Sequence, residues 1–130
     1  MKHIQNYSSL IGRILISLIF LVAGINKIFG YADTVGYMQA MGVPGVLLPL
    51  VIALEILGAV AIIAGYRTRF FAFLLAGFSI LSAFLFHLDF ADQVQSGLFM
   101  KNIAIAGGFL FLVANGAGLF ALDNKISEEK

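Results

Sequence analysis

Hydrophobic and polar positions in this chain segregate on the scale of whole helices, not of single turns. Apolar stretches at about 10–28, 46–65, 70–88 and 98–122 are separated by short polar breaks. Each is close to the roughly twenty residues that a helix needs to cross about 30 Å of hydrocarbon. The pattern predicts an all-α fold, an integral membrane four-helix bundle, with residues 1–130 forming a single four-span transmembrane domain.

The breaks refine this picture. Arg67-Thr68-Arg69 reads as a tight polar link between the second and third spans, and Asp89 to Gly97 joins the third and fourth. The longest connection, Gly30 to Gly45, carries Tyr31, Tyr37, Met38 and Met41 among polar residues. That mixture predicts a short interfacial helix between the first and second spans, with a plain polar loop as the alternative. Pro49 falls in the first turn of the second span, where a missing N–H costs little. The first span has no small-x-small cleavage pattern and ends in Asn26-Lys27, which argues against a cleaved signal peptide.

Composition points the same way. Hydrophobic residues make up 61% and charged residues 12%, against about 45–50% and 25% in soluble domains. The net charge of +1 leaves no basic stripe for phosphates, so nucleic acid is not expected as a partner; the lipid bilayer is. Cysteine is absent, which excludes thiolate chemistry and Cys-ligated metals. The basic residues Lys2, Arg13, Arg67, Arg69, Lys125 and Lys130 fall on the side of the termini, whereas only Lys27 and Lys101 fall on the other. The positive-inside rule then puts both termini in the cytoplasm, with Arg13 and Arg69 as inner-leaflet anchors.

Ionisable groups within spans cost roughly 3 kcal/mol each on insertion scales, so each needs a reason. Asn26, Lys27, Glu55, His87, Lys101 and Asn102 all belong to the outer half of the predicted bundle. Lys27 shares a helix face with Ala23 and Gly24, Glu55 with Gly58 and Ala59, and Lys101 with Ala104 and Gly108; His87 lies one turn beyond Ala83. Small residues mark faces where membrane helices pack closely, so these groups point inward as one cluster. Each has a plainer alternative. The lysines can snorkel to the headgroups, His87 can sit at the interface, and Glu55 paired with Lys27 or Lys101 can be a purely structural ion pair. Metal binding is not expected, because His87 and Glu55 are on different helices, His3 is in the N-terminal tail and two lysines would repel a cation. Haem would want a second buried histidine. The 13 phenylalanines are core or lipid-facing by default, though some can line a pocket for a flat ring such as a quinone.

The run Leu21-Val-Ala-Gly-Ile-Asn-Lys27, Gly42-Val-Pro-Gly45, Glu55-Ile-Leu-Gly58, Ala83-Phe-Leu-Phe-His87, Phe99-Met-Lys-Asn102 and Gly107-Gly108 together resemble the DoxX family of small bacterial inner-membrane proteins, over about Leu10 to Asp123. The resemblance implies a four-helix inner-membrane protein associated with respiratory or oxidative-stress redox systems, one relative being the membrane subunit of a thiosulfate:quinone oxidoreductase. It implies a site built from the same six polar residues. The four-helix disulfide-forming quinone reductases have a similar outline but need cysteines. The expected function is a redox-associated membrane subunit with an outward-facing Lys/Glu/His pocket for a quinone or a small anionic or electrophilic compound, working with a soluble redox partner or as a homo-oligomer. The rival is a non-enzymatic transporter or membrane scaffold in which the same charges form a structural network.

Overall fold

The computed structural model describes residues 2–129; Lys130, counted above among the basic residues of the terminal side, lies outside them. The elements are α1 (Lys2–Phe29), α2 (Tyr31–Ala40), α3 (Leu48–Ala64), α4 (Thr68–Phe86), α5 (Gln93–Asn115) and α6 (Leu122–Glu129). A single 3-10 turn, Gly45–Leu47, leads into α3. Among the described residues, α1, α3 with its leading turn, α4 and α5 are long and apolar enough to cross a membrane. The expected all-α four-helix membrane bundle is therefore the observed one, and the short helix predicted between the first two spans is α2.

Local chemistry sets the boundaries. Pro49 lies in the first turn of α3, where its fixed φ suits a helix start. At the other end of α3, Gly65 adopts φ +75°, its N–H donating to Ile62 O (3.1 Å) while Tyr66 N–H donates to Ala61 O (2.8 Å). This is a Schellman ending, which glycine accommodates without strain. The first turn of α4 is capped from a distance, because the Asp123 carboxylate accepts from Arg67 N–H (2.6 Å) and Thr68 N–H (3.0 Å). Asp92 caps α5 by accepting from Val94 N–H at 2.9 Å.

Some limits differ from the sequence pattern. The fourth span was expected over 98–122, but α5 runs Gln93–Asn115. Asp92 starts it early, and Gly116 and Gly118, both with positive φ, turn the chain out of the helix before the apolar run Leu119–Leu122 is reached. The first helix begins at Lys2, so His3 lies on a helix, not in an extended tail.

The spanning helices pack as two close pairs, α1 with α3 and α4 with α5, joined by thinner seams between α3 and α4 and between α1 and α5. Phe20, Ile62, Leu75 and Phe109 form the core with Ala59, Ala72, Ala76 and Ala106 between them. The alanines let the backbones approach, as expected where burial from water supplies no drive for association. The outward faces remain apolar and exposed, for example Leu15, Val22, Leu57 and Phe111, as a hydrocarbon solvent requires.

Arg13 departs most from its expected role. It is buried, 1% exposed, and its Nη1 donates to Ile62 O and Ile63 O, both at 3.0 Å, while Nη2 donates to Phe120 O. It is thus an internal clamp, not a headgroup anchor. The last turn of α3 leaves carbonyls without intrahelical donors, and a cation there also meets the negative end of the helix dipole. Arg69, by contrast, is exposed.

Candidate functional site

Two tight contacts bring the charged groups together. Gly24 of α1 faces α3 so closely that a Cβ there would lie 2.6 Å from Ile56 Cγ1 and 3.3 Å from Glu55 Cβ. One turn later on the same face of α1, Lys27 Nζ lies 2.8 Å from Glu55 Oε1. Glu55 is seven positions into α3, about 10 Å along its axis. Its side chain is 2% exposed and that of Lys27 29%, so the lysine stem reaches down while its partner stays enclosed. Glu55 Oε1 has no well-aligned hydrogen-bond donor. The pair is held by charge and proximity, and part of the carboxylate's bonding capacity is left over.

The second pair of helices supplies the opposite wall. His87 follows the last turn of α4, and its Nδ1 lies 2.7 Å from Gln95 Oε1 in the first turn of α5. An amide oxygen only accepts, so this contact has Nδ1–H as the donor, which in a neutral ring would leave Nε2 as the acceptor. Lys101 and Asn102 lie two turns further along α5.

Between these walls is a cavity of about 610 Å³, lined by Lys27, Glu55, His87, Lys101 and Asn102 together with mostly apolar residues of α1, α2, α3, α4 and α5. Five of the six residues singled out by sequence therefore border one space. The structure brings Lys27 to Glu55 and does not bring Lys101 into an ion pair with it; among the described residues the Lys27–Glu55 contact is the one salt bridge. Lys101 is exposed and Asn102 half-buried. Asn26 is exposed and does not line the cavity. It is one residue, about 100° of helix rotation, away from Lys27, and its carbonyl accepts from Gly30 N–H (2.9 Å) where α1 gives way to α2. Among the described residues no three His, Asp or Glu side chains converge as a metal site would require.

The DoxX family model matches residues 8–88, more than half of the chain and including Lys27, Glu55 and His87. The chain belongs to the DoxX family. It is 49% identical to the inner membrane protein YqjF of Escherichia coli (strain K12), the match covering 99% of both chains. It is 36% identical to the inner membrane protein YphA of the same organism, over 89% of this chain and 88% of that one. No solved structure matches. With four apolar helices and inner-membrane relatives, this DoxX-family chain is a multi-pass inner-membrane protein.

Sequence reasoning passed over some residues of this DoxX-family cavity. Thr34, Tyr37 and Met38 of α2 line it, with Met38 buried and the Tyr37 ring stacked on Phe86 at 5.5 Å and 22°. Ser79 and Ser82 line it from α4; their spacing of three within an apolar span was the available signal. Gln95 was readable only as a polar residue in a link, because its partner is set by how α4 and α5 meet.

Proposed function

We propose that this chain is a redox-associated membrane subunit whose cavity holds the head group of a quinone, or of a comparably small anionic or electrophilic compound. The observation that carries this reading is the convergence of the Lys27–Glu55 pair, His87, Lys101 and Asn102 on one largely apolar cavity. Such a space excludes bulk water and strengthens polar contacts to whatever enters it. Lys27 and Lys101 would donate to a carbonyl or neutralise an anion, and Glu55 with His87 would pass a proton to or from the bound group. Electrons would reach the bound compound through a soluble redox partner or a neighbouring copy. The distribution of basic residues supports cytoplasmic termini and an outward-facing cavity.

Titration of the purified protein in nanodiscs with decylubiquinone tests the reading. Saturable binding is expected, weakened about tenfold by Glu55→Gln or Lys27→Gln, with little change in melting temperature for Glu55→Gln. No saturable binding, or binding indifferent to both substitutions, rejects the quinone site. The self-contained Lys27–Glu55 pair also suits the rival reading of a scaffold or transporter, which predicts that Glu55→Gln lowers stability and abundance in step with any cellular phenotype.

A further inference from the structure

Access to the cavity is uneven around its walls. Toward the Lys27–Glu55 end it is roofed by α2, with Tyr37 stacked on Phe86 and Met38 buried. The roof is pinned at its far side, where Gly45 is so close to α2 that a Cβ would lie 2.7 Å from Val35 Cγ1. At the base, Phe20 packs its ring against Phe109 and Phe78, at 5.5 and 6.4 Å. The α1–α5 seam is shut near the same level, since Ile16 Cδ1 lies 2.6 Å from where a Gly108 Cβ would be.

The α3–α4 seam is closed at one level and open beyond it. The two helices meet closely where Gly58 faces Leu75, a Cβ there lying 3.2 Å from the leucine methyls. Beyond that point toward the roof, cavity-lining residues of both helices remain open to the outside, Leu50 on α3 at 67% and Leu81 on α4 at 57% exposure. Gly77, which also lines the cavity, has no neighbour within 4 Å of a Cβ position. A side chain more than half exposed cannot belong to a sealed wall. The opening runs from Leu50, in the first turn of α3, and Leu81, five residues before the end of α4, down to Gly77 at the middle of α4, a depth where a spanning bundle is surrounded by hydrocarbon.

The geometry points to lateral entry. The ligand is a membrane-dissolved amphiphile that passes between α3 and α4, lays its polar head under α2 against Lys27, Glu55 and His87, and leaves its apolar tail in the seam. This rests on the reading of the cavity as a binding site and adds the route and the form of the ligand. A polar head and an apolar tail match the two ends of the path, whereas a tailless water-soluble compound would meet the α2 roof from outside and lipid at the seam.

The route is testable without the ligand, because the chain has no cysteine. Single cysteines would be introduced at Ser82, inside the cavity, at Phe111, on the exposed face of α5, and at Ala91, in the exposed α4–α5 link. Each variant in nanodiscs is reacted with a long-chain N-alkyl maleimide and, separately, with a sulfonated impermeant maleimide. Because both reagents need the same thiolate, the ratio of the two rates at Ser82→Cys, set against the same ratio at Phe111→Cys and Ala91→Cys, removes the effect of burial on thiol reactivity. With the lipid-soluble reagent, Ser82→Cys should react within about tenfold of Phe111→Cys; with the aqueous reagent, it should react at less than about one-hundredth the rate of Ala91→Cys. Leu81→Trp should then slow only the lipid-soluble reaction at Ser82→Cys. Should that variant fold poorly, Ser79→Cys gives a second interior position with the same expected ratios. Aqueous labelling at Ser82→Cys comparable to Ala91→Cys overturns lateral entry, as does failure of both reagents. Neither result depends on quinone binding, so the entry route and the binding site fail separately.

Discussion

Where α3 turns into α4, Arg13 reaches through the bundle to the carbonyls of Ile62, Ile63 and Phe120, and Asp123 caps the start of α4 while its own N–H donates to Gly65 O at 2.8 Å. Two turns further into the bundle along α3, near the middle of that helix, Glu55 faces Lys27 across the edge of a cavity of about 610 Å³. Both ends carry buried charge within a few turns of a helix terminus. At the Arg13 end the hydrogen-bond partners are backbone carbonyls, although Arg13 Nε and Thr68 Oγ1 stay unpartnered and a smaller cavity of about 410 Å³ lies beside Phe120. At the Lys27 end the partners are side chains, one carboxylate oxygen lacks an aligned donor, and room remains. Charge that answers the backbone's own orphan groups closes a fold. Charge that answers only other side chains, beside a void, is available to a ligand.

The largest effect should come from removing the guanidinium at the Arg13 end. Arg13→Met keeps the length of the stem and removes the guanidinium, so Ile63 O and Phe120 O lose a donor while Ile62 O keeps Gly65 N–H. Each orphaned acceptor costs about 1–3 kcal/mol if it stays dry. Since Phe120 is partly exposed, water can rescue some of that, and a net loss of about 3 kcal/mol is expected. Unfolding in detergent micelles measures it, and decylubiquinone binding should change little in the fraction that remains folded. A loss below about 1 kcal/mol would mean that water serves these carbonyls as well, and the contrast between the ends would collapse. No second side-chain substitution can rescue Arg13→Met, because its partners are main chain.

The hollow end should behave in the opposite way. Lys27→Met leaves Glu55 enclosed and uncompensated, which should cost about 2 kcal/mol, somewhat less than a fully buried pair because the lysine is part-exposed. Adding Glu55→Gln removes the stranded charge and should recover about half of that loss. The same unfolding assay on both single variants and the double variant reads the coupling directly. Strictly additive losses would show that the 2.8 Å contact carries no energy, and both ends would then be held together by packing alone.

The sequence made this second end far more legible than the first. Lys27, Glu55 and Lys101 were readable as inward-facing because alanines and glycines share their helix faces, and Gly24 lies against Ile56 and Glu55 as that logic requires. Asn26 should have been set apart by the same periodicity, since it is about 100° around the helix from Lys27. Arg13 was not legible. Its position near a span's end fits a headgroup anchor equally well, and the carbonyls it serves come from residues 49, 50 and 107 positions away. The four spans followed from hydropathy alone. The early end of α5 did not, because Gly116 and Gly118 take positive φ within a run still apolar enough to continue a span.

The smallest effect is expected at Gln95, and it bears most directly on what the hollow end can do. Gln95 is half-buried and its side chain hydrogen-bonds the His87 ring, so Gln95→Leu should shift stability by no more than about 0.5 kcal/mol. Its consequence should be protonic. With Oε1 gone, nothing holds the proton on Nδ1, and the neutral ring is free to move it to Nε2, the nitrogen needed as acceptor for a proton from the cavity. His3 is the other histidine of the chain, so a His3→Gln background leaves one imidazole to follow by 15N NMR. The Nδ1–H form should dominate before Gln95→Leu and lose ground after it. If proton transfer through His87 matters, ligand-dependent activity should fall in the variant while quinone affinity and melting temperature hold. A tautomer unchanged by Gln95→Leu would mean that the 2.7 Å contact does not set the ring, and the relay would then have to begin at Glu55 alone.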